Sequence, residues 1–281
     1  MIRSFACALG ALLLALPAAA GAQTDVARQV IGACVGCRLP KDLHGLDLHG
    51  VHLVGDNLRD VDFSHANLRE ATFTGDDLDG TRFDGADLRQ ARFVGVRLRD
   101  VSFAGAQTDG IRFVGISLDR GAGAETQRVV LRDCTGCELA GLDLHGADLR
   151  GIRVVGANLK AANVHGAVLR DADLVGMNAR EADFSSADLQ GANLVGANLR
   201  DARLGGATIG DAILCSQSWE NDEPRTSCAN LEGVDLHGID LRAARWCGGH
   251  DDDRTPRDCR PVTRAELVEA AHADLSGALA P

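Results

Sequence analysis

The sequence predicts an all-β solenoid, and three of its features support that prediction. A large apolar residue recurs at almost every fifth position from Leu43 to Leu118. The same five-residue period returns from Leu139 to Leu214, and within the first block phenylalanine recurs at every tenth position. A period of five fits neither a helix nor a strand. A short period sustained this long is typical of a solenoid, in which each repeat buries its apolar side against its neighbours.

Each five-residue unit has two inward positions, as Ala147-Asp148-Leu149-Arg150-Gly151 illustrates. The central residue is large and apolar, and a small or branched apolar residue stands two positions before it. Asp or Asn often precedes the centre directly, and a polar residue and Gly often follow it. This pattern resembles the A-(D/N)-L-x-x signature of the pentapeptide-repeat family. The resemblance implies a right-handed quadrilateral β-helix with four pentamers per coil, arranged here as two four-coil blocks.

The phenylalanines are expected to form two ladders on opposite faces of such a coil. Residues on stacked strands lie about 4.8 Å apart, so successive rings of one ladder should be in contact. Thr108 interrupts the run of large centres and Gly110 is close by, which predicts a local bulge. The two ladders are Phe63, Phe83, Phe103 and Phe73, Phe93, Phe113.

The chain is expected to have five segments. A CxxC motif opens each repeat block, as in many members of the family that the chain resembles, and a solenoid end needs such a cap. The connection between the blocks is small and rich in Gly, which favours a flexible linker. The segments are a signal peptide (1–22), a cap with the first block (23–118), the linker (119–126), a cap with the second block (127–214) and a disulfide-looped C-terminal region (215–281).

The C-terminal region is predicted to hold one short coil and a capping helix. The coil is expected to have its centres at Leu231, Leu236, Leu241 and Trp246. Thr263-Arg264-Ala265-Glu266 has the form of a capping box, which predicts a helix through about Ala273. We expect this helix to act as a lid, although Ala273-Asp274-Leu275-Ser276-Gly277 also fits the pentamer.

The first residues have the pattern of a secretory signal peptide. Arg3 supplies a positive charge, an apolar stretch follows, and small residues precede a cleavage site before Gln23. No later segment has the apolar length of a membrane span. We therefore expect an exported chain, periplasmic or secreted, that does not insert in a membrane and is a monomer or a weak homodimer.

The net charge of −11 argues against nucleic-acid binding, which needs a basic surface. The resemblance raises one alternative function, because the quinolone-resistance pentapeptide proteins are thought to mimic DNA and to occupy a topoisomerase. A signal peptide would separate this chain from that target, so the sequence disfavours the alternative.

Eight cysteines follow the predicted cleavage site, an even number that suits disulfides in an oxidising compartment. Two alternatives stay open for the CxxC motifs: a zinc knuckle formed by both motifs together, or a redox-active dithiol. The expected pairs are Cys34–Cys37, Cys134–Cys137, Cys215–Cys228 and Cys247–Cys259, none of them at a core centre.

No catalytic or cofactor-binding motif is present in the sequence. The best metal candidates are His145 and His165, which should stack one strand spacing apart on one face; His44 and His49 are weaker candidates. Asp251, Asp252 and Asp253 lack the spacing of a calcium loop. The sequence thus favours an exported structural or protein-interaction solenoid without enzymatic activity, whose protein partner is unknown. The alternative is a metal- or redox-linked periplasmic protein.

Overall fold

The structure is a computed structural model that describes residues 31, 35–36, 39–220, 223–250 and 256–280. The chain divides into two compact units, Met1–Cys137 and Glu138–Pro281. The division falls directly after the second CxxC motif, whereas the sequence placed the connection between the blocks at 119–126. The predicted signal peptide, Cys34, Cys37 and the acidic residues 251–253 lie outside the described residues.

The first unit is a β-helix whose coils repeat every 20 residues. Parallel bridges join residues one coil apart, such as Asp42 with Asp62 and Asp62 with Arg82. The backbone amide of Leu43 donates to the carbonyl of Asp62 over 2.9 Å, and equivalent bonds recur in every coil. The predicted solenoid with four pentamers per coil is therefore confirmed.

Short strands on two faces of the first unit form parallel sheets. The larger sheet has the order β1-β2-β3-β5-β7, and β4 pairs with β6. In its register Phe73 stands opposite Phe93, and Phe93 opposite Phe113. The strands are β1 (His52–Val54), β2 (Thr72–Thr74), β3 (Arg92–Val94), β4 (Arg97–Leu98), β5 (Arg112–Val114), β6 (Ser117–Leu118) and β7 (Cys134–Thr135).

The six phenylalanines fill the core of the first unit as two stacked ladders. Phe63 and Phe83 lie parallel with ring centroids 5.4 Å apart, and Phe73 and Phe93 lie parallel at 4.6 Å. Rings of different ladders also meet edge to face, as Phe83 and Phe93 do at 5.7 Å. The ladders are as predicted, and their rings interlock across the core in the geometry that aromatic quadrupoles favour.

The polar positions of the pentamer build its turns. The carboxylate of Asp42, directly before the centre Leu43, accepts a 3.1 Å hydrogen bond from the backbone amide of His44. Two residues after the centre the backbone adopts a positive φ, for example +66° at Gly45. Glycine adopts this conformation without strain, and Asp and Asn accept turn hydrogen bonds of this kind, so the repeat selects these residue types.

The predicted bulge near Thr108 is wrong. Gln107 keeps the 20-residue bridge to Asp87, and the amide of Ile111 closes the following turn on the carbonyl of Thr108 over 3.1 Å. Because the backbone hydrogen bonds do not require a large side chain, a half-buried threonine is accommodated in the regular coil. A register irregularity occurs elsewhere, between Arg245 and Trp246.

The predicted flexible linker instead contains the start of a helix, α1 (Ala124–Leu131). Its residues Thr126, Val130 and Leu131 are buried, and the Thr126 hydroxyl donates to the carbonyl of Val101 over 3.0 Å. Glycine at the start of the segment provides the turn, and the apolar residues that follow hold the helix against the last coil.

The second unit also consists of 20-residue coils, beginning at Glu138, which bridges Asn158. A hairpin then interrupts the repeat, so that the next bridge along this face joins Asn198 to Asn230. Four strands form the sheet β11-β10-β8-β9, with β10 parallel to β8 and the other pairs antiparallel. They are β8 (Ile213–Glu220), β9 (Glu223–Cys228), β10 (Arg245–His250) and β11 (Pro256–Pro261).

Two predictions for the C-terminal region need correction. Trp246 is not a buried centre, because the register irregularity before it turns Cys247 inward, and the Arg260 guanidinium lies 4.3 Å from the centroid of the Trp246 ring. The terminal helix does not reach Ala273 but ends with a π-helical turn, Glu266–Ala270.

The capping box itself is present, because the Glu266 carboxylate accepts from the Thr263 amide over 2.8 Å. After the helical turn the chain resumes the pentamer. The amide of Leu241 donates to the carbonyl of Leu279 over 2.8 Å, so the final segment completes a coil beside 231–241. The segment Ala273-Asp274-Leu275-Ser276-Gly277 therefore forms a pentamer of the coil, as the sequence also allowed, and is not part of the helix.

Candidate functional site

The rings of His145 and His165 stack in parallel, with centroids 5.2 Å apart and 6° between their planes. The two residues lie one coil apart in the position after the centre, where the sequence expected them to stack. The lone pairs of an imidazole lie in its ring plane, so those of two parallel rings point along separate planes. In this arrangement the two rings do not converge on one metal ion.

The weaker histidine candidates lie in the first unit. His44 does not pair with His49; it meets His65 edge to face with centroids 5.3 Å apart. His65 lies two residues after the centre Phe63, at the turn position with positive φ (+58°). Among the described residues no group of three His, Cys, Asp or Glu side chains is arranged to hold a metal ion.

Six of the eight cysteines are described, and they form three local disulfides. The Cα atoms are 6.0 Å apart in Cys134–Cys137, 4.0 Å in Cys215–Cys228 and 4.1 Å in Cys247–Cys259. These are the partners that the sequence proposed, and the fourth pair, Cys34–Cys37, lies outside the described residues.

Cys134 occupies a core centre, contrary to the expectation that no cysteine does. It stands opposite Phe113 in the register of β5 and β7, so it ends the column of Phe73, Phe93 and Phe113. Helix α1 lies between Phe113 and Cys134, so these two residues are 21 residues apart instead of 20. Counting in fives along the sequence therefore does not align them.

The environment of Cys134 and Cys137 argues against both alternatives for this motif. Both residues are buried, so their sulfurs are shielded from an external thiol. Helix α1 precedes the motif, whereas a thioredoxin-like dithiol has its helix after the motif. The sulfurs are bonded to each other, which leaves no thiolate on this motif to bind zinc.

The outward charges of the coils mostly satisfy one another. Asp62 has its pKa lowered to about 2, chiefly by hydrogen bonds from Ser64 and also by the neighbouring Arg82. In the second unit the Asn163 amide donates to Asp143 over 2.8 Å, and Asn178 donates to Asn158 over 3.0 Å, each across one coil. These hydrogen bonds join outward side chains of successive coils. They do not bring several polar groups together around one binding point.

The sequence interpretation missed a buried pair of carboxyl groups in the first unit. Asp56 and Asp76 occupy the small inward position of successive coils and are only 1% and 3% exposed. Burial raises the pKa of Asp76 to about 7, and the nearby Asp56 charge adds to that effect. One carboxylate oxygen of Asp76 has no hydrogen-bond partner in the described structure. An acid two positions before Leu58 and again before Leu78, where other coils have Ala or Val, is the signal that could have revealed them.

An open depression of about 400 Å³ lies on the second unit. Its two arginines are already engaged, since Arg170 pairs with Asp188 and Arg245 with Asp211. Neither arginine is therefore free to bind an anionic substrate. Its lining residues are Arg170, Asp171, Gln190, Gly191, Asp211, Ile213 and Arg245.

None of the described helices has the length and apolar character needed to cross a bilayer.

Comparison with solved structures finds several repeat proteins of low identity. HetL, a pentapeptide repeat protein involved in heterocyst differentiation regulation in Nostoc sp. strain PCC 7120, is 23% identical over 79% of this chain and 90% of its own, with a TM-score of 0.33. QnrB1, a plasmid-mediated fluoroquinolone resistance protein, is 18% identical over 73% and 86%, with a TM-score of 0.27. Rfr23 from Cyanothece 51142 is 28% identical over 44% and 97%, with a TM-score of 0.28. No curated protein matches the chain.

The family models agree with the coils described above. The model of a pentapeptide repeat region matches residues 46–121, and the model of eight pentapeptide repeats matches 137–176, 167–206 and 180–214. Together they cover more than half of the chain, and both fall on the segments where the backbone closes 20-residue coils. The chain therefore belongs to the pentapeptide-repeat family.

Proposed function

We propose that this protein is an exported, non-enzymatic solenoid that binds another protein through the flat faces of its coils. One observation carries the proposal: the outward side chains are arranged in straight columns one coil apart, and their charged groups are mostly engaged with neighbours in the same columns. A catalytic site needs groups that converge on one reacting atom. Straight columns provide an extended contact surface instead.

Export is part of the proposal and rests on the first 22 residues and on the cysteines. A signal peptide with cleavage before Gln23 would deliver the chain to an oxidising compartment. Three local disulfides that tie non-repeat segments to the coils suit that compartment, because structural disulfides persist there.

The metal and redox alternatives receive no specific support from the described site. The stacked histidines direct their lone pairs along parallel planes, and the Cys134–Cys137 disulfide is buried. Metal analysis and thiol counting of the exported chain test these alternatives directly. Bound zinc together with four free thiols would overturn the disulfide assignment.

The function is tested by cross-linking the full chain in its source organism and identifying the adducts by mass spectrometry. The proposal predicts a reproducible adduct with one protein in the exported fraction. The control is an unrelated exported protein treated in the same way, which should not yield the same adduct. Recovery of no protein above the background of an unrelated exported protein would contradict the proposal.

A further inference from the structure

One face of the first unit differs from the rest of this acidic chain. We call it the strand face and define it by the outward side chains of β1, β2, β3 and β5. The position before each centre holds His52, Thr72, Arg92 and Arg112, and the position after each centre holds Val54, Thr74, Val94 and Val114. None of these eight side chains carries a carboxylate, although the whole chain has a net charge of −11.

The two arginines of the strand face are exposed and stacked one coil apart. Arg92 stands opposite Arg112 in the register of β3 and β5. Neither forms an ion pair with any residue that the structure describes, in contrast to Arg82 and Arg89 on other faces of the same unit, which pair with Asp62 and Asp87. Two neighbouring like charges without counterions raise the local potential and attract an anionic partner.

Beside the arginines runs a column of β-branched side chains. Val54 and Val94 lie in this column, and Val35, which bridges to Val54, extends it at one end. Val35 and Val54 are 67% and 38% exposed, which makes them two of the four large apolar side chains most exposed in the described part of the chain.

The second unit has a similar column of valines, and there other residues of the unit cover it. There Val175 and Val195 also occupy the position after the centre, one coil apart, and they pack against Cys247 and Cys259. The disulfide between those cysteines thus buries the apolar column. The corresponding column of the first unit has no such cover among the described residues.

The dimensions of the strand face select its occupant. Strands of three residues are about 10 Å wide, and the four stacked strands of the face span about 14 Å. Such an area is small beside the roughly 800 Å² per partner of a standard interface between globular proteins. An α-helix is about 10 Å across with its side chains and rises about 5.4 Å per turn. That rise is close to the strand spacing of about 4.8 Å, so one helical row can follow one column of the face.

We propose that the strand face binds an acidic amphipathic helix of a partner protein, laid along the rod. Its apolar row packs on Val54, Thr74, Val94 and Val114, and its acidic row pairs with Arg92 and Arg112. An extended strand fits less well, because alternate residues on one side of a strand are about 6.6 Å apart. This assignment rests on the proposed protein-binding function and names the surface and the chemistry of the partner.

The test uses the full chain and a synthetic helical peptide as the probe. The peptide is about 14 residues long, which gives a helix of about 21 Å. It carries Leu along one row, Glu along the adjacent row, and an i,i+4 lactam bridge on the opposite side. Fluorescence anisotropy of the labelled peptide measures the dissociation constant. We expect Arg92→Glu with Arg112→Glu to weaken binding about tenfold or more, because two attractive pairs become repulsive.

Three controls make the result specific. Arg150→Glu with Arg170→Glu makes the same charge change on two exposed arginines also one coil apart, and should alter the dissociation constant less than about twofold. A peptide with Lys in place of Glu and a peptide with Ser in place of Leu should both lose binding. Circular dichroism and thermal unfolding establish that each variant is folded.

The proposal is overturned if the acidic peptide does not bind the wild-type chain, or if both arginine pairs affect binding equally. It is also overturned if the lysine peptide binds as well as the acidic one, or if short duplex DNA binds this face in its place. The cross-linking experiment distinguishes failure of this assignment from failure of the proposed protein-binding function. A cross-linked partner that is indifferent to Arg92→Glu with Arg112→Glu would remove the face assignment alone, whereas recovery of no partner would remove the function.

Discussion

The backbone amide of Asp56 donates a 2.8 Å hydrogen bond to the carboxylate of Asp76, which lies one coil away along the same buried column. Both side chains stand where other coils have Ala or Val, and both are almost completely buried. A carboxyl group in this position is costly when it is charged, because burial removes its hydration. The pair therefore couples the stability of the first unit to pH.

The stability of the first unit should fall as the pH rises from about 4 to about 8. Asp76 has a pKa of about 7 in the folded chain, above the ordinary value of 3.8, so the folded state holds a proton that the unfolded state has lost. When the folded state binds more protons, raising the pH lowers the free energy of unfolding, here by up to about 4 kcal/mol. Urea unfolding monitored by circular dichroism across this pH range measures the slope.

Asp76→Asn should flatten this slope and stabilise the chain at about pH 8, because the amide stays neutral. Asp62→Asn is the control, because the pKa of Asp62 is lowered to about 2. The contribution of Asp62 to the free energy of unfolding is lost only as the pH falls towards 2, so this substitution should leave the slope between pH 4 and 8 unchanged. An unchanged slope in Asp76→Asn would show that the buried pair does not control the pH dependence.

The phenylalanine ladders should account for much of the stability of the first unit. Phe83 is stacked between Phe63 and Phe103, at 5.4 and 5.3 Å, so Phe83→Ala should lower the free energy of unfolding by about 3–5 kcal/mol. Phe83→Leu is the matched control and should cost less than about 1.5 kcal/mol, because Leu43 occupies the same kind of centre. A loss of less than about 1 kcal/mol for Phe83→Ala would mean that packing of the rings contributes little.

The five-residue period predicted the solenoid, the two ladders and the stacking of His145 on His165, because these features depend only on which residue faces inward and on the coil length. It did not predict the position of Cys134 above Phe113, because helix α1 inserts residues that belong to no pentamer. The prediction that Trp246 is a core centre was wrong for a similar reason, because one irregular step in register exchanges inward and outward residues.

The strand face was not predicted from the sequence. The coil length places Arg92 and Arg112 on one face, as it does His145 and His165, but it does not show which outward charges pair with a neighbour. Arg92 and Arg112 are 20 residues apart and become neighbours only when the coils stack. Interactions between outward columns therefore have to be derived from the fold.

Disulfide mapping without reduction should give three local pairs among the described cysteines. Cys215→Ala with Cys228→Ala should destabilise the chain by about 3 kcal/mol, because this bond closes a loop with a separation of 13 residues. The Cys134–Cys137 bond closes a much shorter loop, with a separation of 3 residues. Removing it by Cys134→Ala with Cys137→Ala should therefore lower the free energy of unfolding by less. Pairing between Cys215 or Cys228 and Cys247 or Cys259 in the map would contradict the assignment.

The exported chain should begin at Gln23. Cleavage after Ala22 follows from the positive residue, the apolar stretch and the small residues before that position. Expression of the full sequence in a bacterial host, followed by intact-mass measurement of the exported fraction, determines the first residue. A chain that keeps Met1 in that fraction would refute export by a cleaved signal peptide.

The central claim is that this solenoid binds a protein partner through the strand face. The most direct measurement replaces Val94 with a photo-activated cross-linking residue in the full chain, expressed in the source organism, and compares it with the same replacement at Arg150 on the second unit. The account predicts an adduct with one protein from position 94 and none from position 150. Equal labelling from both positions, or no adduct from position 94, would contradict it.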